Sequence, residues 1–142
     1  MGRVAHAPWI VHRASNTKER EPVRSSNLRG KLKKERPEAK IQRDLIKYLK
    51  LRGWYAKSLH GGKFQSGMPD IFTCHANYGI RLIEVKLPGM VGSKFTVAQK
   101  KEFPLMIKHG ALIWILTGAT DAEYAKLFKK QNCSEYLLMH LL

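Results

Sequence analysis

Two acids and a lysine stand where an antiparallel hairpin brings them together. Asp70 follows Pro69, and Glu84-Val85-Lys86 comes thirteen residues later. Asp70 to His75 reads as a strand, Ala76-Asn77-Tyr78-Gly79 supplies turn residues, and Ile80 to Lys86 returns as a second strand. A turn centred near Asn77 sets Asp70 directly across from Glu84, and facing residues of such a pair have Cβ atoms roughly 5 Å apart. Alternation puts Lys86 on the face of Glu84 and turns Ile83 and Val85 to the other side. Two hard carboxylates at that separation suit a shared Mg²⁺, with the Val85 carbonyl as a further oxygen ligand. The chemistry such a set could serve is phosphodiester hydrolysis, which needs a placed water and neutralised phosphate charge.

Other elements must hold these groups. Pro37 to about Arg52 has helical periodicity, with Pro37 suited to the first helical position and an apolar stripe of Ile41, Leu45, Tyr48 and Leu49. Glu38 falls on that stripe, in line with Gln42, Leu45 and Leu49. The helix dipole favours an acid in the first turn, which is a structural reason for Glu38. Trp54 to Ser58 is a short strand. His60-Gly61-Gly62-Lys63 and Gln65-Ser66-Gly67 form a loop whose glycines would let a phosphate backbone come close to Asp70. Lys57, His60 and Lys63 are its candidate phosphate contacts, and His60 is also a candidate for proton transfer. Thr96-Val97-Ala98-Gln99 reads as a capping box opening a helix, and Pro104 is expected to kink or break that helix before Gly110. Leu112 to Leu116 is a strand buried on both faces. Thr120 caps a further helix through about Gln131. The apolar tail, Tyr136 to Leu142, packs on the core or on a second subunit.

Gly67-Met68-Pro69-Asp70 followed by Ile83-Glu84-Val85-Lys86 resembles the signature of the PD-(D/E)xK nuclease superfamily. The flanks, Glu38 to Gln42 with Leu45, Leu49 and Gly53 before it and Gln99, Gly110 and the run from Ala111 to Leu116 after it, resemble the virus-type replication-repair nuclease domain (VRR-Nuc). That resemblance covers roughly Glu38 to Gly118. It implies an α/β, restriction-endonuclease-like αβββαβ core: a mixed four-stranded sheet flanked by helices. It also implies a Mg²⁺-dependent DNA endonuclease, with Mn²⁺ able to substitute and branched, flap or Holliday-junction DNA as substrate. In that reading Asp70, Glu84, Val85 and Glu38 hold the metal, Lys86 positions or deprotonates the attacking water, and Gln99 points to the site. An unperturbed lysine is a poor base at neutral pH, so orientation is the role assigned to Lys86. Compact relatives imply a homodimer.

Composition points to a polyanionic partner. The net charge is +15 and the pI ≈ 10.1, which favours nucleic acid over a membrane surface. Residues 1–36 hold ten Lys or Arg against three Glu, so they carry +7 and the other 106 residues +8. Without hydrophobic periodicity, 1–36 reads as a flexible basic arm, and 37–142 as the nuclease domain. Arg29, Lys31, Lys33 and Lys34 are its candidate DNA-binding residues. Cys74 and Cys133 make no metal-ligand or redox spacing. No run is apolar enough to span a bilayer or to serve as a secretion signal, so the expected setting is the cytoplasm or nucleoid, a host's cytoplasm if phage-encoded. Two other readings fit parts of the sequence: a site-specific homing or restriction-type endonuclease, and a non-catalytic nucleic-acid-binding module on the same scaffold.

Overall fold

The computed structural model describes residues 34–62 and 65–141. Most of the basic arm, with Arg29, Lys31 and Lys33, and also Lys63, lies outside the described residues.

Helix α1, Pro37–Lys50, starts with proline in its first turn and carries Glu38 there and Lys47 and Lys50 in its last, matching both ends of its dipole. Its stripe is buried through Leu45 and Leu49. Four strands follow the expected pattern: β1 (Tyr55–Ser58), β2 (Ile71–His75), β3 (Gly79–Val85) and β4 (Ile113–Leu116). They form one mixed sheet in the order β1-β2-β3-β4, antiparallel except for the parallel β3–β4 pair. The hairpin register pairs Ile71 with Ile83 and His75 with Gly79, so the turn centres on Asn77.

Alternation along the strands divides the interior in two. Ile71, Ile83, Val85, Trp114 and Leu116 face α1 and pack with Leu45, Leu49 and Trp54. Ile113 and Ile115 face the other way, onto helices α2 (Val97–Lys108) and α4 (Cys133–Leu141), through Phe103, Cys133 and Leu137. Glu84 belongs to this second face by the period-two rule.

Two expectations change. Helix α2 runs on through Pro104 to Lys108 instead of breaking. Pro104 and Lys100 are both exposed, on the side of the helix where a carbonyl that loses its partner to a proline can turn to water at little cost. The helix opened by Thr120 is short: α3 spans Asp121–Ala125, and a 3₁₀ turn, Lys126–Phe128, ends it before Gln131. The chain leaves the helix because Gln131 and Asn132 serve the outer edge of β4, where Gln131 accepts from Ile113 N–H and Asn132 bonds both N–H and C=O of Ile115. The tail meets its expectation in part: it is helical and packs on the core through Leu137, beside the buried Cys133, while Leu138 and Met139 are 66% and 62% exposed. No described helix is long and apolar enough to cross a membrane.

Candidate active site

One step beyond the Ile71–Ile83 pair, the register sets Asp70 opposite Glu84 at the end of the β2–β3 hairpin. Both acids are buried, at 5% and 2% exposure. Asp70 Oδ2 accepts the Val85 N–H at 2.8 Å, and Oδ1 lies 2.6 Å from His60 Nε2. Glu84 Oε1 accepts from Gln99 Nε2 at 2.7 Å and from Lys86 Nζ at 3.0 Å. Glu84 Oε2 is buried and meets no donor among the described residues.

Lys86 is held from three sides. Its ammonium donates to Glu84, to Gln99 Oε1 at 3.2 Å and to the Lys94 carbonyl at 3.2 Å, and it lies 5.0 Å from the centre of the Phe95 ring. Three acceptors use all three donors of an ammonium. Gln99 both caps and reaches the site: Thr96 accepts its N–H, and its Oε1 accepts the Thr96 N–H.

The electrostatics follow from burial. Loss of solvent pushes the Glu84 carboxyl up to about 8, helped by the charge of Asp70 and opposed by Lys86 and Gln99. Burial also raises Asp70, against the Val85 N–H, His60 and Lys86. Two adjacent acids that resist ionising together, one with an orphaned oxygen, form a donor set that a divalent cation would complete.

Glu38 stands apart from this pair. It shares with Asp70 and His60 a cleft of ≈ 390 Å³, but its carboxylate accepts the Ser93 hydroxyl, and that hydroxyl accepts the Leu87 N–H at 3.0 Å. Among the described residues no three His, Cys, Asp or Glu side chains converge to hold a metal. The three-acid shell expected from sequence is therefore present as a buried pair plus one acid tethered at the cleft wall.

Of the loop glycines expected to admit a phosphate backbone, Gly67 has a packing role instead, while a Cβ at Gly61 would meet nothing within 4 Å. Gly67 has φ +81, and a Cβ there would meet Glu102 Cγ at 2.8 Å and the Ala98 carbonyl oxygen at 3.1 Å. Its bareness lets the loop press on α2 and seats Pro69 and Asp70, so it serves packing and not substrate approach. Lys57 and Lys34 are exposed, Lys57 on the sheet face shared by Phe72 and Asp70. Sequence reasoning missed Ser93, Lys94 and Phe95; a serine within a Gly-rich turn carries no signal of the acid it holds.

No protein-family model and no curated protein matches this sequence. A solved structure described as a VRR_NUC domain is similar to it, with a TM-score of 0.52 and 19% identity, over 65% of this chain and 95% of that one. At that identity the likeness is one of fold. The chain has a VRR-Nuc-like, restriction-endonuclease-like α/β fold.

Proposed function

We propose that this chain is a metal-dependent endonuclease that hydrolyses phosphodiester bonds in DNA, with Mg²⁺ as its ion and Mn²⁺ as a working substitute. The observation that carries the reading is the Asp70–Glu84 pair: two buried acids on one sheet face, one with an unmatched oxygen, in a protein of net charge +15. Buried like charges are costly unless a cation joins them. Asp70, Glu84 and the Val85 carbonyl would hold the ion, and Glu38 would complete its shell directly or through water. When bound, the ion would polarise the phosphate and make an attacking water more acidic.

The chain's own groups do the rest. Lys86 orients the attacking water by exchanging one of its three acceptors for it. Gln99 keeps Glu84 and Lys86 in register through one amide. His60, exposed and bonded to Asp70, meets the phosphate at the cleft mouth, and Lys57, Lys63, Lys34 and the arm, residues 1–36, add phosphate contacts without sequence choice.

The substrate we assign is branched DNA, a flap or a four-way junction, cut by a homodimer with two sites related by a twofold. Exposed Leu138 and Met139 on α4, and an apolar cavity of ≈ 410 Å³ edged by Ile107, Leu137 and Leu138, support a second copy there. A binding module has no electrostatic reason to bury two acids where phosphate must come, and this favours an enzyme over that alternative. Site-specific cutting of linear duplex is the reading that a panel of labelled linear, flap, fork and four-way DNAs tests against ours.

A further inference from the structure

Beside the acid cleft runs a second groove that the proposed chemistry leaves unused. It lies between α1 and β1, has a volume of ≈ 280 Å³, and is lined by Ala39, Gln42, Arg43, Ile46 and Ser58. Ala39, Gln42 and Ser58 also line the cleft of Glu38, His60 and Asp70, so the two form one continuous channel. The α1 residues in it recur at spacings of three and four, which is one helix face. β1 is an edge strand, so nothing in the sheet covers the far wall.

Gln42 stands where the two parts join. Its side chain is half-buried, and its amide makes no hydrogen bond among the described residues. An amide offers two donors and an acceptor, a set suited to a base edge or a phosphate oxygen. Ala39, one turn earlier, keeps the floor low with a single methyl group.

We propose that this channel carries the DNA strand away from the scissile phosphate, with Gln42 bonding the nucleotides next to it. The position of that phosphate rests on the endonuclease reading; the strand path can be tested without cleavage. Charge favours a nucleic acid as occupant: Arg43 lines the groove, Arg36 and His60 line the adjoining cleft beside Glu38 and Asp70, and the chain carries a net charge of +15. Arg43 is bonded through both terminal nitrogens to Glu35, and a phosphate, which fits the same planar fork, would compete with that carboxylate. From Ala39 to Ile46 the helix rises about 10 Å, the length of a short stretch of one strand.

The test places p-benzoylphenylalanine at Gln42 in the full chain, with Glu84→Gln to stop cutting and an exposed control position at Lys100. The probes are a labelled single-stranded oligonucleotide and a flap DNA. The channel predicts DNA crosslinks from position 42 and few from position 100. On the cleaving background, Ala39→Trp, which fills the floor, and Gln42→Glu, which sets a charge against phosphate, should each lower cleavage at least tenfold with unchanged melting. Crosslinks without any cleavage by the native chain would retain the strand path and remove the enzyme reading. Cleavage by folded Ala39→Trp and Gln42→Glu at the native rate would overturn the channel and leave the enzyme standing. Crosslinks from position 42 to residues 1–33 in place of DNA would also overturn it.

Discussion

Gln99 donates to the Glu84 carboxylate at 2.7 Å while its Oε1 closes the cap of α2 on the Thr96 N–H at 3.1 Å. One amide thus anchors a helix end to a buried acid, and the start of α2 cannot shift without moving the site. The two duties separate by mutation. Thr96→Ala should cost about 1 kcal/mol through the cap alone, with cleavage close to native. Gln99→Ala should cost a similar amount and lower cleavage at least tenfold. Equal turnover in the two variants, at matched melting temperatures, would reduce Gln99 to a cap.

Glu38 offers a comparable separation. Glu38→Gln keeps an oxygen for the Ser93 hydroxyl, so the tether of α1 survives and only the dipole interaction is lost, about 0.3–1 kcal/mol. A role in the metal shell predicts a strong fall in cleavage and a higher Mg²⁺ requirement. Nearly native turnover with slightly lower melting would leave Glu38 a helix-end acid.

The raised carboxyl of Glu84 sets a pH dependence. Its folded value of about 8 lies above the ordinary 4.5, so the protonated acid is the form the fold favours. That contribution is fully present below the unfolded value and lost as pH rises through the folded one. The metal-free protein should therefore lose stability between about pH 5 and about 8, and Glu84→Gln should flatten that slope. Mg²⁺ must displace a proton, so its stabilising effect should grow with pH. Melting curves across that range, with and without Mg²⁺, give both slopes; parallel profiles for native and Glu84→Gln would contradict the assignment.

The hairpin was legible because its information is local. A period of two, a turn at Asn77 and an acid at each end define the register with no long-range knowledge. The capping box at Thr96 was legible for the same reason. What stayed hidden depends on tertiary contact. Ser93, Lys94 and Phe95 acquire their roles from how the turn after Lys86 folds over the site. The early end of the helix after Thr120 depends on Gln131 and Asn132 finding the β4 edge. Whether Pro104 breaks its helix likewise depends on tertiary context: α2 continues to Lys108, with Pro104 and Lys100 on its exposed side.

Removing residues 1–33 deletes most of the arm's charge and spares Arg36, Glu38 and the Glu35–Arg43 pair. Binding should weaken across all DNA sequences, and each lost phosphate contact should reduce the salt slope for duplex by about 0.9. Cleavage of saturated DNA at low salt should persist. An unchanged affinity and slope would make the segment a solubilising tail, and loss of cutting on saturated DNA would extend the site into it.

Dimerisation through α4 predicts that Leu138→Lys with Met139→Lys yields a folded monomer in light scattering and loses paired cutting of a junction. A native chain that is monomeric at concentrations where it cuts would contradict the twofold arrangement.

The most direct measurement is cleavage of labelled linear, flap, fork and four-way DNAs by the purified native chain and by Glu84→Ala, with Mg²⁺ and with chelator. The native chain should give Mg²⁺-dependent products from the branched substrates, and Glu84→Ala none, at undiminished or tighter DNA binding. Equal cutting by the two proteins, or tight DNA binding by the native chain with no cutting under either Mg²⁺ or Mn²⁺, would contradict the endonuclease reading.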